Sequence, residues 1–537
     1  MSRVRVTLGV LATALSAALV WVTLVLPARL DHLGPTVLVR LPVEAVLIGA
    51  LAVVLTDRRR VVVAVLAGAL LGLVVVLKIL DVIFRQSLDR PFDPLTDWRY
   101  AGSTVGLFRD SFGSTPGIIL LVLASGVLLA VVALLALALL RVLRRLARHR
   151  VAVRRSTLLL AAAWAVLTAF GVRAGALPVA SAGTGGYLWA EASRIPRVLH
   201  DERQFRRATR SDPLATVPAS RLLHGLRGKD VLVVFVESYG RVALEDPGFG
   251  PGVRRVLREG DRDLAAHGFA SRSAFLTSPT FGALSWLAHA TLQSGLWVDS
   301  QQRYDALVTS PRQTLSRAFA RAGWRTVSDV PADTHDWPEG RFYGWQHFYD
   351  SRNVGYAGPR FGYPTMPDQF TLARFARSEL RPRSRRPVMA EIDLISSHAP
   401  WSRTPRMLAD GAIGDGAVFD PMPAGLPSAP EIWTSPARVR AAYGTAVEYS
   451  LRALLSFVTH HAGRDTVLVV LGDHQPATIV SGQDAAHDVP VSLVARDPSV
   501  LADIDSWHWS RGLVPASGAP VWRMDRFRDR FLAAFAG

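Results

Sequence analysis

The chain has 537 residues, of which 50% are hydrophobic, and it contains no cysteine. This length exceeds that of one ordinary soluble domain, and the lack of cysteine excludes disulfides and thiolate metal sites. The formal net charge is +17, but residues 1–180 hold 20 Arg or Lys against 8 Asp or Glu, which leaves +5 for the rest. Because most of the basic excess lies in the front third, we predict no nucleic-acid partner.

The front of the chain contains five apolar runs, each close to the roughly 20 residues that cross a bilayer as a helix. These runs are residues 5–26, 36–56, 61–84, 117–140 and 156–176. The first run has the basic flank of a signal peptide, but it lacks a small-residue cleavage site and is followed by further runs. The sequence therefore predicts an uncleaved, five-span transmembrane domain over residues 1–176.

The basic loops indicate the orientation of these spans, because Arg and Lys accumulate on the cytoplasmic side of a membrane. Residues 57–60 and 141–155 are the basic loops, and the second holds seven arginines and no acid. With five spans, both loops lie on the same side as the N-terminus. We therefore expect a multi-pass plasma-membrane protein whose remaining chain is extracytoplasmic.

Residues 177–228 are rich in Gly, Ala, Pro and Arg and predict a linker that contains one short helix. Beyond it, over residues 229–537, short apolar strands alternate with helical stretches, as in "VLVVFVE", "QTLSRAFARAGW", "VMAEIDLISS" and "DTVLVVLGDHQ". Continuous apolar strands separated by helices are typical of a parallel sheet with both faces covered. The predicted fold class is thus an α-helical membrane domain followed by an α/β domain with a mostly parallel sheet.

Polar residues stand directly behind three of the predicted strands. Glu237 ends the first strand, Asp473 and His474 follow another, and His398 follows a third. Ligands of such sheets bind beyond the carboxyl ends of the strands, so these side chains are candidates for one site. Glu, Asp and His without Cys suit a divalent ion such as Mn²⁺, Mg²⁺ or Zn²⁺.

Several of these segments, in order and spacing, resemble one family of enzymes. The segments are "VFVESYG", "FGALSWLAHATLQSG", "SSHAPW", and "LGDHQP" followed by "HDVP". They are similar to the lipoteichoic acid synthase-like phosphoglycerol transferases of the alkaline phosphatase and sulfatase superfamily. The resemblance covers roughly residues 228–500 and implies an alkaline phosphatase/sulfatase-like fold for this part of the chain.

The resemblance implies that Glu237, Asp473 and His474 hold the metal, with Mn²⁺ the first candidate. It makes Ser285 the nucleophile and a further metal ligand, although the synthases usually carry Thr at this position; Thr280 is the alternative. Ser285 also precedes a predicted helix, where backbone N–H groups and the helix dipole favour a phosphate. The structural alternative is that Ser285 merely caps this helix.

Four further residues are implied on the substrate side. His398 and His487 resemble the family's histidines that contact the transferred phosphate or protonate the leaving group. The stretch "HDWPEGRFYGWQHF" is similar to the segment with which the synthases bind the phosphoglycerol head group. It contains Trp337, but the Arg expected two positions later is absent and Arg341 is the nearest substitute.

The resemblance implies a phosphotransferase of the bacterial plasma membrane. Its donor would be a phospholipid like phosphatidylglycerol and its acceptor a glycolipid, a polymer or a glycan. A phosphoethanolamine transferase, a phosphodiesterase or a sulfatase-type hydrolase would use the same site, and an inactive membrane scaffold is the alternative outside the enzymes. Sulfatases mature a Cys or Ser in a C/S-x-P-x-R setting, whereas this chain has no Cys and "TSPTF" at 277–281 lacks the Arg.

Overall fold

The computed structural model describes residues 3–100, 114–175, 177–382 and 384–537. Within these ranges the chain forms two compact units. The first comprises the residues up to Arg85 together with Arg90–Glu202, and the second comprises Gln86–Asp89 with Arg203–Gly537. The predicted linker at 177–228 is divided between them, and Ala176, where we place the end of the fifth span, lies outside the described residues.

The first unit is helical. Its helices are Arg3–Val25, Val43–Val54, Asp57–Leu88, Ser114–Leu146, Arg150–Ala169 and Gly183–Arg210. Among the described residues, three stretches are long and apolar enough to cross a membrane: Arg5–Val25, Asp57–Leu88 and Val122–Ala169. The prediction of an N-terminal region of apolar helices is confirmed, and the count of five crossings stays a prediction.

The helices differ from the predicted runs in three places. The second helix has 12 residues and begins only at Val43, because Pro35 and Pro42 interrupt the run before it. The fifth ends at Ala169, and Gly171 follows with a φ of 58°, a typical helix C-terminal signal. The helix predicted to be short in the linker spans 28 residues, Gly183–Arg210, and contains Pro196.

Apolar side chains on the surface distinguish the first unit. Among the described residues, nearly all exposed large hydrophobic side chains lie before residue 200. The three exceptions are Val418, Trp433 and Val521. A soluble surface rarely exposes contiguous apolar area of this kind, whereas lipid tails contact it without penalty. The surface composition therefore suits a membrane anchor.

The second unit is built on a nine-stranded sheet. Its strands are β1 Asp230–Val236, β2 Ala270–Thr277, β3 Arg325–Val330, β4 His347–Asp350, β5 Val388–Leu394, β6 Thr466–Gly472, β7 Asp488–Ala495, β8 Ser510–Arg511 and β9 Val521–Arg523. The spatial order is β8-β2-β7-β6-β1-β5-β3-β4, with β9 beside β2. Strands β6, β1, β5, β3 and β4 are parallel, while β7 runs antiparallel between β6 and β2. The predicted mostly parallel sheet is confirmed.

Helices cover both faces of this sheet. They are Val242–Glu245, Gly250–Ala266, Ser285–Ser294, Gln301–Val308, Leu315–Arg321, Gly340–Tyr343, Asp368–Phe375, Ala429–Ile432, Pro436–His461, Thr478–Ser481, Pro498–Ala502 and Phe527–Ala534. Strand β1 is buried throughout, and its side chains alternate between two cores. Leu232 and Val234 pack in the core with Gly250–Ala266 and Pro436–His461. Val233 and Phe235 pack in the core with Ser285–Ser294 and Phe527–Ala534.

The buried carboxyl group of Asp368 gives the second unit a predicted pH dependence. Asp368 is fully buried, and its Oδ1 accepts a hydrogen bond from the backbone N–H of Ser396 at 2.9 Å. Burial raises the pKa of Asp368 to about 6. Native Asp368 therefore keeps its proton up to a pH near 6, whereas the unfolded chain releases it near pH 4. Folding takes up a proton between these values, so stability is lost as the pH rises.

We expect Asp368→Asn to remove this dependence, because Asn has no titrating proton and can still accept the bond from Ser396. The wild type should lose up to about 3 kcal/mol relative to the variant as the pH rises from about 4 to about 7, and nothing more above about pH 7. The measurement is the melting temperature of both proteins in detergent across this range. Asp263→Asn on an exposed helix position is the control; a difference between wild type and Asp368→Asn that does not change with pH would contradict the prediction.

Candidate active site

Glu237 and Asp473 are neighbours because the strands before them are neighbours. Strands β1 and β6 are parallel, and Val236 pairs with Gly472, so the two acids leave the sheet side by side. Gly472 permits this approach, since a Cβ atom there would lie 1.9 Å from the carbonyl oxygen of Tyr239. The carboxyl edge of the sheet thus collects the predicted ligands, as expected for parallel strands.

Backbone groups orient Asp473 and His474. Asp473 Oδ1 accepts hydrogen bonds from the backbone N–H groups of Ser238 and His474, both at 2.7 Å. Asp473 Oδ2 is buried and accepts no hydrogen bond from the described residues. His474 Nδ1 lies 2.8 Å from the carbonyl oxygen of Gln475, which places the proton on Nδ1 and leaves the Nε2 lone pair available. Hydrogen bonds of this kind orient metal-binding side chains and leave one ligand atom of each available for the ion.

Glu237 is fixed at a strained turn. The next residue, Ser238, is buried and has a φ of 57°, which is uncommon for a residue other than glycine. The Ser238 hydroxyl donates to Glu237 Oε1 at 2.9 Å, and the Ser238 carbonyl accepts from the Tyr443 hydroxyl at 2.8 Å. Ser397 donates to the Glu237 carbonyl oxygen at 2.6 Å. Such strain persists where surrounding bonds enforce it, often at functional sites.

Ser285 faces the same ligands. The helix Ser285–Ser294, called the Ser285 helix below, begins after Leu284, whose φ of 71° turns the chain sharply. The Ser285 hydroxyl donates to Glu237 Oε2 at 3.0 Å and lies 3.2 Å from His474 Nε2. The helix has no side-chain cap, and Ser285 is its first residue. Ser285 therefore is not the cap that the structural alternative required.

The three side chains Glu237, Asp473 and His474, called the Glu237 cluster below, fit a divalent cation. Their facing ligand atoms all lie within 4.8 Å of one another. His474 Nε2 is 3.4 Å from Asp473 Oδ2 and 3.5 Å from Glu237 Oε1. These separations match ligands about 2.0–2.2 Å from one ion in tetrahedral geometry. Burial, and after it the charge of Glu237, raises the pKa of Asp473 to about 6, so the site disfavours two bare carboxylates and favours a cation between them.

The alternative nucleophile, Thr280, has different neighbours. It is buried, and its hydroxyl lies 3.4 Å from the hydroxyl of Ser278. Ser278 in turn donates to the carbonyl oxygen of Asp473 at 2.6 Å. Thr280 is thus tied to the backbone behind the Glu237 cluster, whereas Ser285 is hydrogen-bonded to its side chains.

His398 and His487 lie in two different surroundings. His398 stacks on Tyr363 with ring centres 3.8 Å apart, and its Nδ1 lies 2.5 Å from the Ala399 carbonyl oxygen. Burial lowers the pKa of His398 to about 4, which makes it a neutral imidazole at pH 7. The ring of His487 lies 5.1 Å from that of Phe281, and burial lowers the pKa of His487 as well. Both histidines therefore suit hydrogen bonding to a substrate better than donating a proton at neutral pH.

The structure places Trp337 in an aromatic cluster that contacts the Ser285 helix. Trp337 Nε1 donates to the Tyr304 hydroxyl at 3.2 Å, and its ring packs 5.3 Å from that of Tyr343. Arg341 is exposed, and its carbonyl oxygen accepts from Arg317. Within the described part of the chain, no hydrogen bond or ion pair joins either residue to the Glu237 cluster.

Sequence reasoning missed a second group of metal-type ligands. His289, Glu391 and Asp393, called the His289 cluster below, also bring their ligand atoms within 4.8 Å of one another. His289 lies one turn after Ser285 on the same helix, and the two acids occupy alternate positions of β5. The signal in the sequence is the pair of acids two residues apart inside "VMAEIDL", which puts both on one face of a buried strand.

The His289 cluster strongly favours positive charge. Burial alone lowers the pKa of His289, but the facing carboxylates of Asp393 and Glu391 outweigh it and raise this pKa to about 9. Burial also raises the pKa of Asp393 well above its ordinary range. His289 stacks on Phe235 with ring centres 3.8 Å apart, which fixes the plane of the imidazole.

No protein-family model and no curated protein matches the sequence. Solved structures are similar to parts of it. Lipoteichoic acid synthase LtaP from Listeria monocytogenes is 14% identical, with a TM-score of 0.38, over 51% of this chain and 66% of that one. A protein in the alkaline phosphatase superfamily from Vibrio parahaemolyticus is 15% identical, with a TM-score of 0.36, over 56% of this chain and 69% of that one. The soluble domain of lipooligosaccharide phosphoethanolamine transferase A from Neisseria meningitidis is 13% identical, with a TM-score of 0.35, over 59% of this chain and 93% of that one.

The structures found include a protein in that superfamily, and the likeness is one of structure alone, at 13–15% identity. This chain spans just under two thirds of the length of the Listeria protein. At such identities and TM-scores the likeness carries no argument about activity. A functional conclusion has to come from the site itself.

Proposed function

We propose that this protein is a membrane-anchored, metal-dependent phosphotransferase of the bacterial plasma membrane. It would move phosphoglycerol, or a related head group, from a phospholipid to a cell-envelope acceptor. The observation that carries the proposal is the Ser285 hydroxyl, 3.0 Å from Glu237 and 3.2 Å from His474 at the start of a helix. A hydroxyl beside metal-type ligands and a helix N-terminus suits nucleophilic attack on a phosphate.

Glu237, Asp473 and His474, with the Ser285 oxygen, would hold the ion, and Mn²⁺, Mg²⁺ and Zn²⁺ all suit these donors. A bound divalent ion would lower the pKa of the serine hydroxyl and neutralise phosphate oxygens. Glu237 Oε2 accepts the hydroxyl hydrogen bond and so orients the serine oxygen. His398 and His487, both neutral at pH 7, would hydrogen-bond the transferred group.

The reaction proceeds in two displacements at phosphorus. In the first, Ser285 Oγ loses its proton and forms a bond to phosphorus, the bond to the diacylglycerol oxygen breaks, and one proton is passed to that oxygen, so that no net proton is consumed. In the second, an acceptor hydroxyl forms the new bond to phosphorus while the bond to Ser285 breaks and the serine regains its proton. A glycolipid, a polymer or a glycan supplies this hydroxyl, and confining enzyme and lipid donor to one membrane raises their effective concentration.

The test is an intact-mass spectrum of the detergent-purified chain after incubation with phosphatidylglycerol and Mn²⁺. We expect a phosphoglycerol-sized adduct, which disappears when a sugar-bearing acceptor is added. Phosphatidylethanolamine in a parallel incubation reveals the alternative head group by a phosphoethanolamine-sized adduct. Absence of any adduct and of any lipid cleavage, with metal confirmed bound, would contradict the phosphotransferase assignment.

A further inference from the structure

We infer that the His289 cluster is a second divalent-cation site, separate from the Glu237 cluster and holding the Ser285 helix onto strand β5. The ligands would be His289 Nδ1, one oxygen of Glu391 and Asp393 Oδ1. This inference does not depend on the phosphotransferase assignment, because it concerns how many ions the folded chain binds.

Distances support one ion shared by these three residues. His289 Nδ1 lies 3.1 Å from Glu391 Oε1 and 3.6 Å from Asp393 Oδ1. Ligands about 2.0–2.2 Å from a tetrahedral ion are separated by similar distances. In the Glu237 cluster the imidazole nitrogen lies 3.4 Å and 3.5 Å from its two carboxylate oxygens. The two clusters therefore present the same donor set, one imidazole and two carboxylates, at the same spacing.

The second observation is an unsatisfied acceptor. Asp393 Oδ1 is buried and accepts no hydrogen bond from any described residue, as is also true of Asp473 Oδ2 in the first cluster. A buried carboxylate oxygen without a partner is costly, so such an atom indicates a missing cation or proton. The His289 Nδ1 atom lies 3.6 Å from this oxygen, which is beyond hydrogen-bond distance, whereas one ion would contact all three side chains.

The groups around the cluster orient it as a ligand site. Gln293, buried on the Ser285 helix, donates its side-chain amide to Glu391 Oε2 at 2.5 Å, which leaves Glu391 Oε1 facing His289. Gln293 itself is held because its amide oxygen accepts from the backbone N–H of Ser316 at 3.0 Å. The Asp393 side chain is 16% exposed, so water can reach a remaining coordination position. Metal-binding carboxylates commonly have one oxygen held by a hydrogen bond, which orients the other oxygen towards the ion.

Charge argues for a divalent ion rather than a monovalent one. Coordination of an ion requires that His289 Nδ1 has lost its proton, and the two ionised acids of the cluster then carry two negative charges. One divalent ion balances them, and imidazole with carboxylate ligands suits Zn²⁺ or Mn²⁺ better than Ca²⁺. Because the ion would join a helix residue to two strand residues, it would fix the first turn of the helix that carries Ser285.

The experiment is a count of bound metal in the full-length chain in detergent. A chelator first removes bound metal, and separate samples are then dialysed against Mn²⁺ or Zn²⁺. Elemental mass spectrometry gives the number of moles of metal bound per mole of chain. We expect two equivalents in the wild type, one in Asp393→Asn, one in Asp473→Asn, and none in the double variant. The count does not depend on catalysis, so its result stays separate from that of the adduct experiment.

Two outcomes would overturn the inference. One equivalent in the wild type that disappears in Asp473→Asn would leave the His289 cluster without metal. Two equivalents that persist in Asp393→Asn and in His289→Gln would place the second ion elsewhere. His289→Gln serves as the second variant if Asp393→Asn does not fold, and a retained first equivalent shows that either variant is intact.

Discussion

Replacing Ser285 by alanine is expected to lower phosphotransfer turnover by at least about 1,000-fold and to abolish the covalent adduct. The reason is that the Ser285 hydroxyl alone, among the two candidate hydroxyls, is hydrogen-bonded to a side chain of the Glu237 cluster. Residual turnover would come from binding and electrostatic effects of the remaining site. The measurements are the rate of diacylglycerol release and the intact-mass spectrum of the variant.

Two matched variants test whether turnover is lost because the nucleophilic hydroxyl has been removed. Ser285→Thr keeps a hydroxyl at the same helix position and should still form the adduct. Thr280→Ala should keep it too, because the Thr280 hydroxyl contacts Ser278 and not the Glu237 cluster. Metal content measured beside activity shows whether alanine has also displaced the ion. Full turnover in Ser285→Ala with loss in Thr280→Ala would move the nucleophile to Thr280.

The strand-end residues could be predicted from the sequence because a physical rule connects them. Each of Glu237 and Asp473 follows a continuous apolar run, and the carboxyl ends of parallel strands meet at one edge of a sheet. The rule needs only the strands and their direction, both of which the apolar pattern reveals. The structure accordingly places the two acids on adjacent strands in register.

The choice between Ser285 and Thr280 could not be made from the sequence alone. Thr280 lies in the loop before the helix that begins at Ser285, and the turn at Leu284 separates the two hydroxyls. The left-handed conformation of this turn cannot be predicted from a leucine, since it is typical of glycine. The His289 cluster could not be predicted from the sequence either, because it too depends on tertiary packing. An acid in a strand is ordinarily read as solvent-facing, and only the packing of the Ser285 helix on β5 brings His289 to Glu391.

The sequence carries a weaker signal for the substrate side. Trp337 belongs to a short aromatic segment, and aromatic residues occur in hydrophobic cores as well as in binding sites. In the structure Trp337 is half-buried and contacts Tyr304, Tyr343 and Phe348 at the edge of a core cluster. The role of Trp337 and Arg341 in head-group binding stays a prediction.

Asp473→Asn is expected to weaken metal binding at the Glu237 cluster by at least about 100-fold and to abolish turnover. The variant isolates the ligand atom, because Asn Oδ1 can still accept the two backbone hydrogen bonds at 2.7 Å from Ser238 and His474. Only Oδ2, which has no partner among the described residues, is replaced by an amide. The loop geometry should therefore survive while one equivalent of metal is lost.

In the absence of metal, Asp473→Asn should raise the melting temperature instead of impairing the protein. This difference distinguishes a metal ligand from a residue that supports the fold. Without metal, Asp473 is a buried carboxyl group whose pKa burial raises to about 6, so at pH 7.5 its ionised form destabilises the fold. Asp473→Asn removes that charge, and we expect the chelator-treated variant to melt at a higher temperature than the chelator-treated wild type, by the equivalent of about 1–3 kcal/mol. Asp368→Asn removes another buried carboxylate and should stabilise similarly, but it should retain all bound metal and turnover. A chelator-treated Asp473→Asn that melts below the wild type would show that Oδ2 supports the fold, and the metal site would then have to be placed on other residues.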